Sequence, residues 1–177
     1  GSRVIDTIDV RAGEAFSGAR AALIAAAAVG VLQSVTEQER LNVINARTLA
    51  EARGIELSFT DLSSASSPHA IEVRVRSAMQ EIGAGGAVLP GGLPRITRIG
   101  AFHVDVQPRD TILILTNNDV PGVIGRVGTL LGEAGVNIAE YHQARLAQGG
   151  EALAAVALDG PISDATRAAL LQLPYVR

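Results

Sequence analysis

Apolar and polar residues follow two different patterns along this chain, and the change comes near residue 110. Residues 4–10 have the composition of a strand, and residues 14–35, rich in alanine and apolar nearly all round, predict a buried helix. Residues 36–39, Thr-Glu-Gln-Glu, have the spacing of a capping box and predict the start of a second helix, which Gly54 ends. The first part therefore begins as a strand followed by two helices.

Shorter segments after Gly54 show the two-residue alternation of strands. They are residues 55–60, 69–76, 95–99 and Phe102–Val106. Residues 83–94 are rich in glycine and proline and predict a loop. The last two strands flank Gly100 and predict a hairpin.

The second part of the chain predicts a compact succession of elements. These are strand 111–116, helix 121–134, strands 136–144 and 152–158, helix 163–171 and a short strand at 175–177. The βαββαβ order predicts a ferredoxin-like sandwich, in which one antiparallel sheet is backed by two helices. We therefore predict an α+β protein with two small domains, residues 3–109 and 110–177.

The predicted helix 121–134 has two faces of different composition. Its apolar stripe, which should lie on the sheet, consists of Val123, Ile124, Val127, Leu130, Leu131 and Ala134. Nearly opposite lies a glycine face, formed by Gly122, Gly125, Gly128 and Gly132. An exposed helical glycine costs about 1 kcal/mol relative to alanine. The glycine face therefore predicts close packing against another subunit or domain, and the alternative is a tolerated solvent-facing surface.

Composition limits the classes of function. The chain is 47% hydrophobic and 19% charged, which predicts a globular protein, and a net charge of −3 without tryptophan argues against nucleic-acid binding. It contains no cysteine, which excludes disulfides and thiolate metal sites and favours a reducing, cytoplasmic location. The longest apolar run, residues 21–32, is shorter than the roughly 20 residues of a membrane span. Because a strand-like segment opens the chain without a signal peptide, we expect a fragment of a longer protein.

The polar turn before the helix 121–134 is a candidate ligand site. Asn117, Asn118 and Asp119 precede Pro121, a residue suited to the first helical position. Free N–H groups there suit a carboxylate and Asp119 suits an ammonium group, so the turn could hold a zwitterionic amino acid. The alternative, which the residues alone favour, is that Asn118 or Asp119 merely caps the helix. The G-x-x-G-x-x-G spacing matches neither a dinucleotide fingerprint nor a phosphate loop.

Several motifs together resemble those of one enzyme family. Residues 118–125 (NDVPGVIG), 127–131 (VGTLL), 136–139 (VNIA) and 149–153 (GGEAL) resemble the ACT domain that ends D-3-phosphoglycerate dehydrogenase. Residues 41–46, 49–55, 94–96 and 103–105 are similar to the intervening, allosteric substrate-binding domain of the longer enzymes. The resemblance covers almost the whole chain. An ACT motif alone occurs in many amino-acid-responsive proteins, so it is the combination that indicates this family.

The resemblance implies regulation rather than catalysis. It implies an NAD-dependent oxidoreductase of L-serine biosynthesis, a homo-oligomer whose ACT domains bind L-serine between two subunits for feedback control. NAD would belong to catalytic domains outside this chain, and the chain itself would hold no catalytic residue, cofactor or metal. Two alternatives remain open: the regulatory part of an L-serine dehydratase, and a stand-alone ACT amino-acid sensor.

The resemblance also implies two sets of ligand residues. The amino-acid effector would be bound by Asn117, Asn118, Asp119, Val120, Pro121, Gly122, Asn137 and Ile138, with Asn137 coming from the second chain. Phosphate or a phosphorylated hydroxy acid would be bound by Arg95, His103 and Arg109. Arg109 is included because Gln107 stands where some members carry an arginine. Judged without the family, Arg95 is typical of a solvated strand face, His103 of a hairpin face shared with Asp105, and Asn137 of a turn.

Overall fold

The chain forms two compact units in a computed structural model that describes residues 5–33, 41–62 and 67–177. The units are Gly1–Leu93 and Pro94–Arg177. Each contains helices and a sheet, so the predicted α+β class with two small units is confirmed. The strands of the predicted hairpin, residues 95–99 and 102–106, belong to the second unit. The domain limits 3–109 and 110–177 remain a prediction, because a compact unit need not coincide with a domain of a protein family.

Four strands form the sheet of the first unit. They are β1 (Ile5–Ala12), β2 (Glu56–Asp61), β3 (Ala70–Ser77) and β4 (Glu81–Leu89). β1 pairs in parallel with β2 and antiparallel with β3, which pairs antiparallel with β4. The predicted loop 83–94 is therefore wrong, because most of it belongs to β4. Pairing along the whole of β3 offsets the weak strand propensity of the glycines.

Two helices cover one face of this sheet, after a 3-10 turn at Glu14–Ala19. They are α1 (Arg20–Gln33) and α2 (Ala46–Ala52). Their shared core with the sheet contains Ile8, Ala28, Leu32, Ala46, Ala50 and Ile55. By length and composition alone, the 20 residues Glu14–Gln33 would suffice to cross a membrane.

The structure corrects two predictions about these helices. α1 is buried along one side only, at Ile24, Ala28 and Leu32, so a helix buried all round is wrong. The reason is that its apolar character comes largely from alanine, which exposes little apolar area when it faces solvent. The second helix begins at Ala46, after a turn in which the side chain of Asn42 accepts from the backbone N–H of Ile44. The predicted capping box, residues 36–39, lies outside the described residues.

The second unit has the predicted succession of elements. The hairpin is β5 (Leu93–Ile99) and β6 (Phe102–Val106), and the rest is β7 (Thr111–Asn118), α3 (Val123–Glu133), β8 (Ile138–Arg145), β9 (Glu151–Leu158) and α4 (Asp164–Leu171). The antiparallel order is β7-β9-β8. Residues 175–177 lie on the free side of β7, where Thr116 and Arg177 exchange both backbone hydrogen bonds, at 3.1 and 2.7 Å. The βαββα succession and the hairpin are confirmed, whereas the predicted last strand at 175–177 is present only as an isolated bridge between Asn117 and Val176.

The sheet of the second unit is covered on both faces, which explains why residues 152–158 of β9 are all buried. One face packs against Val123, Val127 and Leu131 of α3. The other packs against apolar residues of β6. The predicted stripe of α3 is therefore right at its centre, but Ile124 and Ala134 are exposed at its margins.

Candidate functional site

The turn between β7 and α3 depends on Gly122. This residue precedes the helix and has a φ of 89°, a left-handed conformation that favours glycine. The helix begins at Val123, so the prediction that Pro121 occupies the first helical position is wrong. No side chain caps the helix, so the alternative that Asn118 or Asp119 serves as its cap is also wrong. The polar residues of this turn have other partners.

The Asp119 carboxylate lies at the meeting point of three segments. It accepts hydrogen bonds from Nη1 of Arg145 at 2.9 Å and from the backbone N–H of Gly149 at 3.3 Å, with Nε2 of Gln143 at 3.5 Å. Its own backbone N–H donates to the carbonyl of Gly150 at 2.9 Å. The hydrogen bond from Arg145, and next that from Gly149, hold the pKa of Asp119 below its usual value. Asp119 is therefore an ionised carboxylate at neutral pH.

The two asparagines beside it differ in burial. Asn117 is 1% exposed, and its Oδ1 accepts no hydrogen bond from any residue that the structure describes. Its Nδ2 donates to the carbonyl of Asn118 at 2.8 Å. The Oδ1 of Asn118 accepts from Nη2 of Arg177 at 3.2 Å, and its backbone carbonyl accepts from Val120 at 2.9 Å. Asn117 thus faces the interior, whereas Asn118 is tied to the C-terminal segment.

Asn137 lies just before β8 and is exposed. Its Nδ2 donates to Oδ2 of Asp159 at 2.5 Å, which is the role of a turn residue. The next residue, Ile138, pairs with Leu158 and packs on the core beneath α3. Among the described hydrogen bonds, none joins Asn137 to Asp119 within one chain. The assignment of these two residues to a shared site remains a prediction that needs two chains.

Arg95, predicted to bind an anion, is already held by two carboxylates. Its Nε donates to Oδ1 of Asp105 at 2.5 Å, and its two terminal nitrogens donate to the two oxygens of Glu140 at 3.2 and 3.0 Å. The Asp105 and Glu140 carboxylates raise the pKa of Arg95. The Arg95 guanidinium, and next the Gln107 backbone N–H, lower that of Glu140. Within this chain Arg95 joins the hairpin to β8.

The other two predicted anion ligands make different contacts. His103 is exposed on β6, paired in register with Arg98, and alternation puts it on the same face as Asp105, as the residues alone suggest. Nη1 of Arg109 lies 3.6 Å from Oδ1 of Asp159. The described contacts do not bring Arg95, His103 and Arg109 to one point.

The glycine face of α3 has open space around it. Apart from the backbone of the helix itself, a Cβ atom added to Gly125, Gly128 or Gly132 would meet no atom of the described residues within 4 Å. Gly122 differs, because an added Cβ would lie 3.0 Å from Nη1 of Arg126 and the residue has a positive φ. Three of the four glycines are therefore dispensable for packing within one chain.

Sequence reasoning missed three residues of these networks: Gln143 and Arg145 beside Asp119, and Glu140 beside Arg95. Each partner lies between 24 and 45 residues from the residue it contacts. The only sequence signal was the polar character of strand β8, which alternation alone assigns to solvent. In the ranges 5–33, 41–62 and 67–177, no group of three or more metal-ligating side chains comes together.

Known proteins share sequence with most of this chain. Residues 2–100 match the D-3-phosphoglycerate dehydrogenase intervening domain. The D-3-phosphoglycerate dehydrogenase of Synechocystis sp. is 34% identical over 156 residues, covering 88% of this chain and 28% of that protein. That of Bacillus subtilis is 32% identical over 137 residues, covering 77% and 26%. That of Mycobacterium tuberculosis is 32% identical over 149 residues, covering 80% and 27%.

These matches confirm the resemblance seen in the motifs. The match to the intervening domain covers more than half of the chain, and the chain spans about a quarter of the length of the curated relatives. By these similarities, the chain belongs to the D-3-phosphoglycerate dehydrogenase family.

Proposed function

We propose that this chain is the regulatory region of an NAD-dependent D-3-phosphoglycerate dehydrogenase, and that its second unit is an ACT domain that binds L-serine for feedback control. The observation that carries the proposal is the Asp119 carboxylate, ionised and placed in the turn between β7 and α3. An ionised carboxylate in a turn beside a helix start is suited to the ammonium group of an amino acid. A cytoplasmic location goes with this proposal.

The turn offers groups for each part of L-serine. Asp119 would bind the ammonium group, and the N–H groups at the start of α3, after Gly122, would favour the carboxylate. The Asn137 amide of a second chain would bind the hydroxyl after giving up its contact with Asp159. Asn118, Val120, Pro121 and Ile138 would shape the site, and Asn117 would support the turn from the interior.

Self-association is part of the proposal, because Asp119 and Asn137 make no described contact within one chain. The open glycine face of α3 offers a surface on which a second chain can approach closely. A symmetric dimer would repeat the same contact twice about its axis. Binding of serine across such an interface would, by linkage, tighten the dimer.

The oxidoreductase activity and the NAD site are proposed for the parent protein, outside this chain. The names of the relatives support a dehydrogenase over an L-serine dehydratase or a stand-alone sensor. The sequence that precedes this segment in the gene decides between them. A dinucleotide-binding fingerprint there supports the dehydrogenase, and cluster-binding cysteines there support the dehydratase.

A second proposed ligand is phosphate or a phosphorylated hydroxy acid at Arg95, His103 and Arg109. The structure sets a condition for this site, because an anion at Arg95 must displace Asp105 or Glu140. Equal phosphate affinity of the unsubstituted chain and Arg95→Ala would show that Arg95 does not bind the anion.

Calorimetry with the whole chain tests the serine proposal. We expect L-serine to bind more tightly than D-serine or L-alanine, because stereochemistry and the hydroxyl both matter at a site built for serine. Asp119→Ala should weaken binding at least about tenfold, because it removes a hydrogen bond between two charged groups. No heat with millimolar L-serine would contradict the proposal.

A further inference from the structure

The ion pair between Arg145 and Asp119 joins an exposed side chain to a largely buried one. Arg145 lies at the end of β8, and its side chain is 58% exposed, whereas that of Asp119 is 18% exposed. Asp119 is also held by the N–H of Gly149, and its backbone by the carbonyl of Gly150. If the pair opens, Arg145 is the partner that moves and Asp119 the one that stays.

We propose that Arg145 binds the carboxylate of the amino-acid effector, and that its ion pair with Asp119 opens to admit the ligand. The inference rests on the proposed function and extends it. The ligand's ammonium group replaces Arg145 at Asp119, and the released guanidinium pairs with the ligand's carboxylate. Each protein charge thus exchanges one partner of opposite charge for another, so that none is left unpaired in the bound state.

The chemistry of both side chains suits this exchange. A guanidinium presents a planar fork of donors that matches a carboxylate in a bidentate geometry. Because Arg145 is more than half exposed, its contact with Asp119 is screened by water and contributes little to stability. Breaking it costs the ligand little affinity, whereas both new contacts add to affinity.

A purely structural role for Arg145 would require the turn between β8 and β9 to depend on it. That turn has other support. The N–H of Gly149 donates to Asp119, the N–H of Gly150 donates to the carbonyl of Ala147 at 3.1 Å, and Gly150 accepts from the N–H of Asp119. The turn therefore keeps its hydrogen bonds when Arg145 turns away.

The test compares two ligands that differ only in the carboxylate: L-serine and ethanolamine, which lacks it. Their affinities are measured by calorimetry for the unsubstituted chain, Arg145→Gln and Arg145→Lys. A control is Arg167→Gln, which removes a similarly exposed arginine from a pair on α4 with Asp164. Circular dichroism checks that each variant is folded.

We expect the unsubstituted chain and the control to prefer L-serine over ethanolamine. In Arg145→Gln, L-serine should bind about tenfold more weakly or worse, while ethanolamine binds as before or more tightly, so that the preference is lost. Arg145→Lys keeps the charge but not the planar fork of donors. Its affinity for L-serine should lie between those of the unsubstituted chain and Arg145→Gln.

Three results would overturn the role of Arg145: unchanged serine affinity in Arg145→Gln, tighter serine binding, or equal weakening of both ligands. Each of them presupposes that the unsubstituted chain binds serine. Absence of serine binding to the unsubstituted chain is a different result, which contradicts the amino-acid site itself and the inference with it.

Discussion

Arg95 and Glu140 meet in a bidentate ion pair, in which two guanidinium nitrogens donate to the two carboxylate oxygens at 3.2 and 3.0 Å. The pair joins strand β5 of the hairpin to strand β8 of the antiparallel sheet. Both side chains are less than a third exposed, at 21% and 28%. Arg95, which the sequence predicts as an anion ligand, thus links two strands of the second unit within one chain.

Replacement of Arg95 by methionine should destabilise the second unit. We expect a loss of about 2 kcal/mol, between the roughly 0–1 kcal/mol of an exposed pair and the roughly 3–5 kcal/mol lost when a buried pair is broken. Urea unfolding followed by tyrosine fluorescence measures this, because both tyrosines, Tyr141 and Tyr175, lie in the second unit. Arg167→Met, in an exposed pair, is the control and should change stability by less than about 0.5 kcal/mol. Equal effects of the two substitutions would show that the ion pairs of Arg95 stabilise the fold no more than an exposed ion pair does.

The same pair should make stability depend on acid pH. The pKa of Glu140 is lowered in the folded chain. The charge of Glu140 therefore makes its full contribution to the free energy of unfolding above the ordinary glutamate pKa of about 4.3. It is lost as pH falls through the lower folded value. Glu140→Gln should therefore show a shallower decline of unfolding free energy between about pH 6 and pH 3. Parallel profiles for the two proteins would contradict the lowered pKa, and a residual slope from Asp119 is expected in both.

Asn117 should be dispensable for stability. Among the described residues its buried Oδ1 has no hydrogen-bond donor, and an unpaired buried acceptor costs about 1–3 kcal/mol. Asn117→Leu should therefore leave the unfolding free energy within about 1 kcal/mol of its original value, since it removes this cost along with one hydrogen bond. Leu115→Ala, at a buried position on the same face of β7, should lose roughly 2–5 kcal/mol. A comparable loss in Asn117→Leu would show that the side chain is needed for folding.

Two substitutions of Gly128 test whether the glycine face of α3 is an interface between two chains. Gly128→Ala should raise helix stability by about 1 kcal/mol in the monomer, because alanine is the better helix former and nothing lies in its way. Gly128→Leu should shift sedimentation toward monomers while the fold is retained. Ala168→Leu, which adds only one carbon atom fewer on an exposed side of α4, should not shift sedimentation. A chain that stays monomeric at tens of micromolar with saturating L-serine would show that this face meets only solvent.

Elements with a strong local pattern were predictable from the sequence. The hairpin β5–β6 and the succession from β7 to α4 follow from alternation, helical spacing and turn residues, all of which act over a few positions. β4 was not predictable, because its strand conformation depends on pairing with β3 rather than on its own glycines. The start of α3 was misplaced by two residues, because Gly122 adopts a left-handed conformation that leaves Pro121 outside the helix.

Asp119 was predictable as a candidate, but its partners were not. Its position before a helix is visible in the sequence, whereas its contact with Arg145 spans 26 residues and depends on how β8 lies in the sheet. The same holds for Arg95, whose contact with Glu140 spans 45 residues. A charged residue on a half-exposed strand appears solvated until its neighbour in space is known.

The central claim is that L-serine binds at the turn between β7 and α3, and backbone amide NMR tests it most directly. During a titration with L-serine, the amide signals of Asp119, Gly122, Asn137 and Gly149 should shift together and saturate, because these residues surround the proposed site or donate to it. Signals of the first unit, such as that of Gly30, should not move. Absence of any shift at these four amides with L-serine at about 10 mM, a concentration that would detect even millimolar affinity, would contradict the account.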